Sequence, residues 1–177
     1  MRTLLAVAAS LVLAAAARAD APAPTPTSAP AAKPSPSPPA ETVIIGPTGK
    51  RLVVTPKLLA GLDRAEATMI NHGASHTFEG VRLTELLRLV DAPTGARIHA
   101  DADRDYLVVT GGDGFRAVYS LAETDPSVQR HPVILADKMD GAPLIPHDVP
   151  YRLVVDGDQK PARSVYAVAR IEVKVLP

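Results

Sequence analysis

MINHGASHTFEGVRLTELL, residues 69–87, runs from a strand-like segment to a helix-like one and places Asn71, His72, Ser75 and His76 in the connection between them. Upstream, AEATMI alternates small or apolar with polar residues, the period of a half-buried strand. Downstream, LTELLRLV sets Leu83, Leu86, Leu87 and Val90 on one helical face, and Asp91-Ala92-Pro93 stops the helix. Polar side chains in a connection are where a rigid scaffold carries its chemistry, so this link is the first candidate site.

Working outward, TVIIG and RLVV are β-branched runs separated by Pro47-Thr48-Gly49, which predicts an opening hairpin. Thr55-Pro56 has the form of an N-cap with proline at the first helical position and predicts a short helix through Leu62. YLVVT and FRAVY flank Gly111-Gly112-Asp113-Gly114, a second hairpin across a glycine-rich turn. Ser120 and Glu123 have capping-box spacing and predict a short helix there. PVILA and YRLVV read as strands, with DKMDGAPL turning between them. The closing VARIEVKVL points Ile171, Val173 and Val175 one way and Glu172 and Lys174 the other. Many strands with a few short helices define an α+β domain rather than a parallel doubly wound sheet.

The N-terminus reads differently. A basic Met1-Arg2, an apolar run from Thr3 to Ala17 and an Ala17-Arg18-Ala19 exit describe a secretory signal, cleaved after Ala19 (residues 1–19). The apolar run is shorter than the ~20 residues a spanning helix needs, so no transmembrane segment is expected after cleavage and the location is periplasmic or secreted. Residues 20–41, almost wholly Pro, Ala, Ser and Thr, are expected to be a disordered spacer, because repeated proline denies both helix and ladder hydrogen bonds. Residues 42–177 then form a single domain, long enough to bury a core.

Lys plus Arg and Asp plus Glu both number 19, for a formal net charge of zero. Such a balance offers no basic face for displacing counterions from nucleic acid. The chain has no cysteine, which removes disulfides, thiolate zinc sites and thiol nucleophiles together.

Several local patterns resemble sites but lack a part the chemistry needs. His72 and His76 stand four apart, which suits one metal only on a helix, and Gly73 argues against a helix; no third ligand accompanies them. HADADRD, residues 99–105, begins like a calcium loop but lacks the glycine and bidentate glutamate such a loop requires. Ser75-His76 has no nucleophile elbow around it. More promising are Arg152 and Arg163, whose guanidinium groups could together grip carboxylate, phosphate or carbonyl oxygens; the alternative is surface arginines paired with Asp156 and Asp158.

Five segments in order, FEGVRLTELLRLV, DGFRAVYSLAE, ILADKMDGAPL, PYRLVVDGD and ARSVYAVARIEV, resemble the molybdopterin-binding domain of the sulfite oxidase family, from about Val43 onward. The resemblance implies that family's fold, mixed β-sheets with a few short helices, and a pocket for a pterin-dithiolene cofactor whose molybdenum takes a cysteine ligand. The cysteine would stand just after AEATMI, where this chain has Asn71-His72-Gly73 and a shortened loop. Small members carry tryptophan near Ser164, so stacking on a pterin would fall to Phe78, Tyr151 or Tyr166.

The resemblance therefore implies an exported, non-catalytic module that binds a pterin or molybdopterin-like ligand without molybdenum and acts on a membrane-bound signalling protein. Its ligand-contacting residues are expected to be Asn71, His72 and His76 on one wall and Arg152, Arg163 and Ser164 on the other. The alternatives are a molybdopterin-dependent oxidoreductase whose metal is completed by a histidine or an outside ligand, and a scaffold that has lost its ligand and keeps a protein-binding surface.

Overall fold

The structure is a computed structural model; it describes residues 41–71 and 73–176. The expected signal, nearly all of the proline-rich spacer and His72 lie outside the described residues.

Two five-stranded sheets carry the domain. The first begins with β1 (Thr42–Ile45) and β2 (Arg51–Val54), the expected opening hairpin. Helix α1 (Pro56–Ala60) follows, with the Thr55 hydroxyl accepting the Leu58 N–H. The same sheet takes β5 (Tyr106–Gly111), β6 (Arg116–Ser120) and the closing β10 (Val168–Lys174), in the order β2-β1-β10-β5-β6. Among the described strands only β1 and β10 run parallel, since the last strand returns alongside the first rather than through a hairpin.

The second sheet is built on β3 (Arg64–Asn71), β4 (Ala74–Arg82) and β7 (Val133–Met139), in the order β3-β4-β7. On its far edge β7 pairs with the two-residue β8 (Ala142–Pro143) at one end and with β9 (Arg152–Val155) at the other.

Here the structure departs from the sequence-based expectation. Residues 74–82, expected as a connection, form the nine-residue strand β4, which pairs with β3 on one side and β7 on the other. Gly73, at φ +82°, lies in the tight turn that makes β3 and β4 a hairpin. Along β4, Ser75, Thr77 and Glu79 alternate with His76, Phe78 and Gly80, and the buried positions are Phe78, Gly80 and Val81. Gly80 is where β4 bulges, and a Cβ there would stand 2.1 Å from the Leu135 carbonyl oxygen.

Helix α2 (Leu83–Arg88) is shorter than its periodic stretch, yet Leu83, Leu86, Leu87 and Val90 are all fully buried, as the 3.6-residue period predicts. At residues 120–123 half of the capping box forms. The Ser120 N–H donates to Glu123 Oε1 at 3.0 Å, and the segment is a single 3-10 turn over Ala122–Thr124. Residues 100–104 are likewise a 3-10 turn before β5, the polar turn expected of that acidic segment. Strand β10 ends at Lys174, and Val175, expected to point the same way as Ile171 and Val173, is 57% exposed.

The two apolar clusters explain where the functional region sits. The larger gathers Ile44, Leu59, the α2 leucines, Leu107, Val109, Tyr119, Leu135, Leu153 and Ile171. The smaller gathers Ala67, Met69, Phe78, Ile134, Ala136, Leu144 and Val154. Strands β7 and β9 serve both, alternating residue by residue: Leu135 and Leu153 go to the larger cluster, Ile134 and Val154 to the smaller. By the same alternation Arg152, opposite Ala136 in the ladder, projects toward the smaller cluster. An arginine is thereby driven into an apolar interior.

Candidate functional site

A buried guanidinium is tolerated only where its charge and donors are met. Arg152 is 2% exposed, and its Nη1 donates to Asp148 Oδ2 at 2.9 Å. Its Nε donates to Ser164 Oγ at 2.8 Å, and that hydroxyl donates onward to the Leu153 carbonyl at 2.8 Å. The guanidinium carbon lies 4.9 Å from the Phe78 ring centroid and 4.2 Å from that of Tyr166, cation–π distances. Nη2 is buried with no partner.

Asp148 is fully buried. Its N–H donates to the Ile145 carbonyl, and its own carbonyl accepts from Ala167 N–H, so the backbone holds the carboxylate in place from both sides. The second carboxylate oxygen meets His147 Nδ1 at 3.2 Å, and the His147 ring packs edge-on against Tyr166 with centroids 4.6 Å apart. Directly after Tyr166, Ala167 adopts φ +43°, a conformation that costs a β-carbon residue energy and that the surrounding bonds enforce. The result is a six-residue assembly of Phe78, His147, Asp148, Arg152, Ser164 and Tyr166.

Of the residues expected at a site, Arg152 and Ser164 come together here. Arg163, one position before Ser164, sends its side chain elsewhere. Its Nε and Nη2 grip both Asp158 oxygens at 3.1 Å, and Nη1 takes Glu123 Oε2 at 3.0 Å. The hydrogen bonds it donates to Asp158, with that to Glu123 adding to them, raise the Arg163 pKa further above its ordinary value. The paired-guanidinium fork is therefore not formed: Arg152 has Asp148, and Arg163 has Asp158 and Glu123. Arg163 lines a separate cavity of about 210 Å³ with Gln129, His131 and the Asp156–Asp158 turn, where His131 Nδ1 meets Asp156 at 2.9 Å. That turn also bonds along the edge of β3, accepting from Thr68 and Ile70 N–H and donating to the Thr68 carbonyl.

His76 stands on β4 and pairs with Asp140 at 2.7 Å; Asp140 also accepts the Thr77 N–H. Those two hydrogen bonds, the one from His76 the stronger, hold the Asp140 carboxyl below the usual carboxylate range. Asn71 ends β3 with its Oδ1 buried and without a partner. Among the expected stacking residues, Phe78 is fully buried and Tyr151 is 5% exposed in the larger core, so neither offers a ring face to a ligand. Tyr166, half-buried, remains.

His147 and Asp148 were not singled out by sequence. The signal available was an acidic residue four positions before an arginine in an otherwise apolar strand, across Val149-Pro150.

The model of the oxidoreductase molybdopterin binding domain family matches residues 60–175, and the chain belongs to that family. Among solved structures it is similar to the sulfane dehydrogenase SoxCD from Paracoccus pantotrophus, with a TM-score of 0.55 and 20% identity over 77% of this chain. The fold is thus of the sulfite oxidase type. The chain spans 39% of the length of that dehydrogenase chain. No curated protein sequence matches it significantly.

The family implies a pterin-type ligand; in the assembly Nη2 is buried with no partner, beside a half-buried tyrosine and a 64% exposed imidazole. Molybdenum held through a protein thiolate does not fit, because the chain has no cysteine to supply one. Among the described residues no three His, Asp or Glu side chains gather to hold a metal in its place.

Proposed function

We propose that the domain is an exported, non-catalytic ligand-binding module that holds a pterin or a related planar heterocycle without molybdenum. The observation that carries this reading is the partnerless Nη2 of Arg152, buried beside Tyr166 and His147 in a molybdopterin-binding fold. A buried donor left unsatisfied costs about 1–3 kcal/mol, a penalty that a ligand acceptor would relieve. Ser164 and Asp148 position the guanidinium, and His147 and Tyr166 form the approach.

The absence of cysteine supports a ligand-binding role over oxidoreductase chemistry, since the family's metal ligand has no counterpart here. Residues 1–19 act as the export signal and residues 20–41 as a tether, which would leave the domain free to reach a membrane-bound signalling protein. Among the described residues no helix is long and apolar enough to cross a membrane.

The test is mass spectrometry, with metal analysis, of the small molecule released when the domain purified from a periplasm is denatured. A pterin without molybdenum is the expected outcome. Molybdopterin with stoichiometric molybdenum would replace this reading with an oxidoreductase, and an empty domain that takes up no added pterin would leave a scaffold.

A further inference from the structure

We propose that two copies of this chain associate along the open half of the β3 edge, where Arg64 and Glu66 meet the partner's Glu66 and the partner's Arg64 across a two-fold axis. The inference goes beyond the ligand-binding reading and does not depend on it.

The edge of β3 is closed along only part of its length. Thr68 donates its N–H to Asp156 Oδ1 at 2.7 Å and its carbonyl accepts the Gly157 N–H at 2.8 Å, while the Ile70 N–H reaches the Asp158 carbonyl at 3.2 Å. Main-chain groups of alternate residues point to opposite sides of a strand, so these bonds fix which residues face the edge. Arg64 and Glu66 share the phase of Thr68 and Ile70, and their N–H and C=O groups point the same way. Both residues are exposed, and among the described residues no hydrogen bond takes those groups. An unpaired edge of this kind is a template for another strand.

The sequence around Ala65 makes the template self-complementary. Antiparallel pairing about that residue sets Arg64 opposite the partner's Glu66 and Glu66 opposite the partner's Arg64, the reciprocity that a two-fold interface requires. Each of these pairs exchanges both of its main-chain bonds. A register centred on Arg64 or on Glu66 would instead bring like charges face to face, which selects against it.

Charge within one copy also points to the second copy. Glu66 lies directly opposite Glu79 in the ladder, a like-charge cross-strand pair that costs stability. Lys138 answers Glu79 at 3.7 Å, whereas Glu66 has no ion pair. Arg64 gives both Nη nitrogens to Asp137 and keeps Nε unengaged. These side chains line a cavity of about 410 Å³ with Ala65 and Arg82, and Arg82 has no ion pair either. The partner's Arg64 supplies the cation that Glu66 lacks, and the partner's Glu66 brings a carboxylate to Arg64 and Arg82. An acidic or a basic peptide would answer only one of these charges; a second copy answers both. The Asp156–Asp158 turn ends the shared ladder beyond Glu66, so the interface is small and the association reversible.

The experiment is sedimentation velocity of the purified exported chain from about 10 μM to about 1 mM, with no ligand added, so that its outcome leaves the pterin reading untouched. A concentration-dependent dimer is expected, and Glu66→Arg should weaken it at least tenfold. Arg64→Glu should weaken it similarly. An equimolar mixture of the two variants should recover the native dissociation constant to within threefold, because every mixed pair again sets arginine against glutamate. A native chain that stays monomeric throughout, a dimer whose constant Glu66→Arg leaves within threefold, or a mixture of two folded variants that fails to associate would each overturn the inference. Arg64 also holds Asp137, so where Arg64→Glu fails to fold, Glu66→Arg, which breaks no side-chain bond within one copy, decides alone.

Discussion

Asp148 and Arg152, four residues apart and on either side of a Val-Pro step, meet as an ion pair of 2.9 Å with both side chains out of water. Their separation in sequence suggests a helical pairing, yet neither is on a helix: Asp148 is held in a loop and Arg152 opens β9. The pair replaces apolar filling on one side of the smaller core, where Phe78 packs against the guanidinium. Such pairs contribute little net stability over hydrophobic filling, but removing one member strands the other charge.

Asp148→Ala should therefore lower unfolding free energy by about 3–5 kcal/mol in urea titrations. A loss under about 1 kcal/mol would mean that water reaches Arg152, contrary to its burial.

Ser164→Ala removes one hydrogen bond to a charged group, and a loss of about 1.5–3 kcal/mol is expected. Ser164→Thr, which keeps the hydroxyl, should recover part of it. Equal behaviour of the two variants would show that the hydroxyl bond to Arg152 Nε carries no stability.

In ligand binding, Arg152→Lys should weaken pterin affinity at least tenfold, about 1.4 kcal/mol, because lysine cannot keep Ser164, Asp148 and the free donor engaged together. Arg163→Ala, whose guanidinium is held by Asp158 and Glu123, should change affinity less than threefold. A reversed order would move the site to the cavity beside His131.

Acid should loosen the Asp140 turn beside β4 and the Glu172 pair on β10 before the core. The Asp140 carboxyl is held below its ordinary value of 3.8, chiefly by His76, and Glu172 below 4.5, chiefly by Arg170. A depressed folded value means that each carboxylate stabilises fully above its unfolded value, and that this contribution fades as pH falls through the folded one. Asp140→Asn should flatten the fall in melting temperature below about pH 4. An unchanged acid limb would show that the His76 pair contributes nothing.

Gly80→Ala puts a methyl group where the Leu135 carbonyl oxygen stands, 2.1 Å from an ideal Cβ. Forcing β4 from β7 should cost at least ~1–3 kcal/mol, a melting-point drop of several degrees. A neutral result would mean that the bulge relaxes freely.

The two hairpins at residues 42–54 and 106–120, the α1 cap and the buried face of α2 were all legible in sequence, because each depends on neighbours a few residues away: turn glycines, a capping threonine, a 3.6-residue period. The family's segments were legible too, and with them the mixed-sheet architecture. Strand β4 was not, because its outward residues are polar and its inward ones include a glycine; pairing with adjacent β3 and with distant β7 made it a strand. The site followed the same division. Arg152 and Ser164 stood out as residue types, but only tertiary structure put the twelve-residue-distant hydroxyl on the guanidinium and turned Arg163 toward Glu123. Burial did this: a charge drawn into the core by strand alternation must be met by whatever carboxylate the fold brings there, and local sequence holds no record of which one that will be.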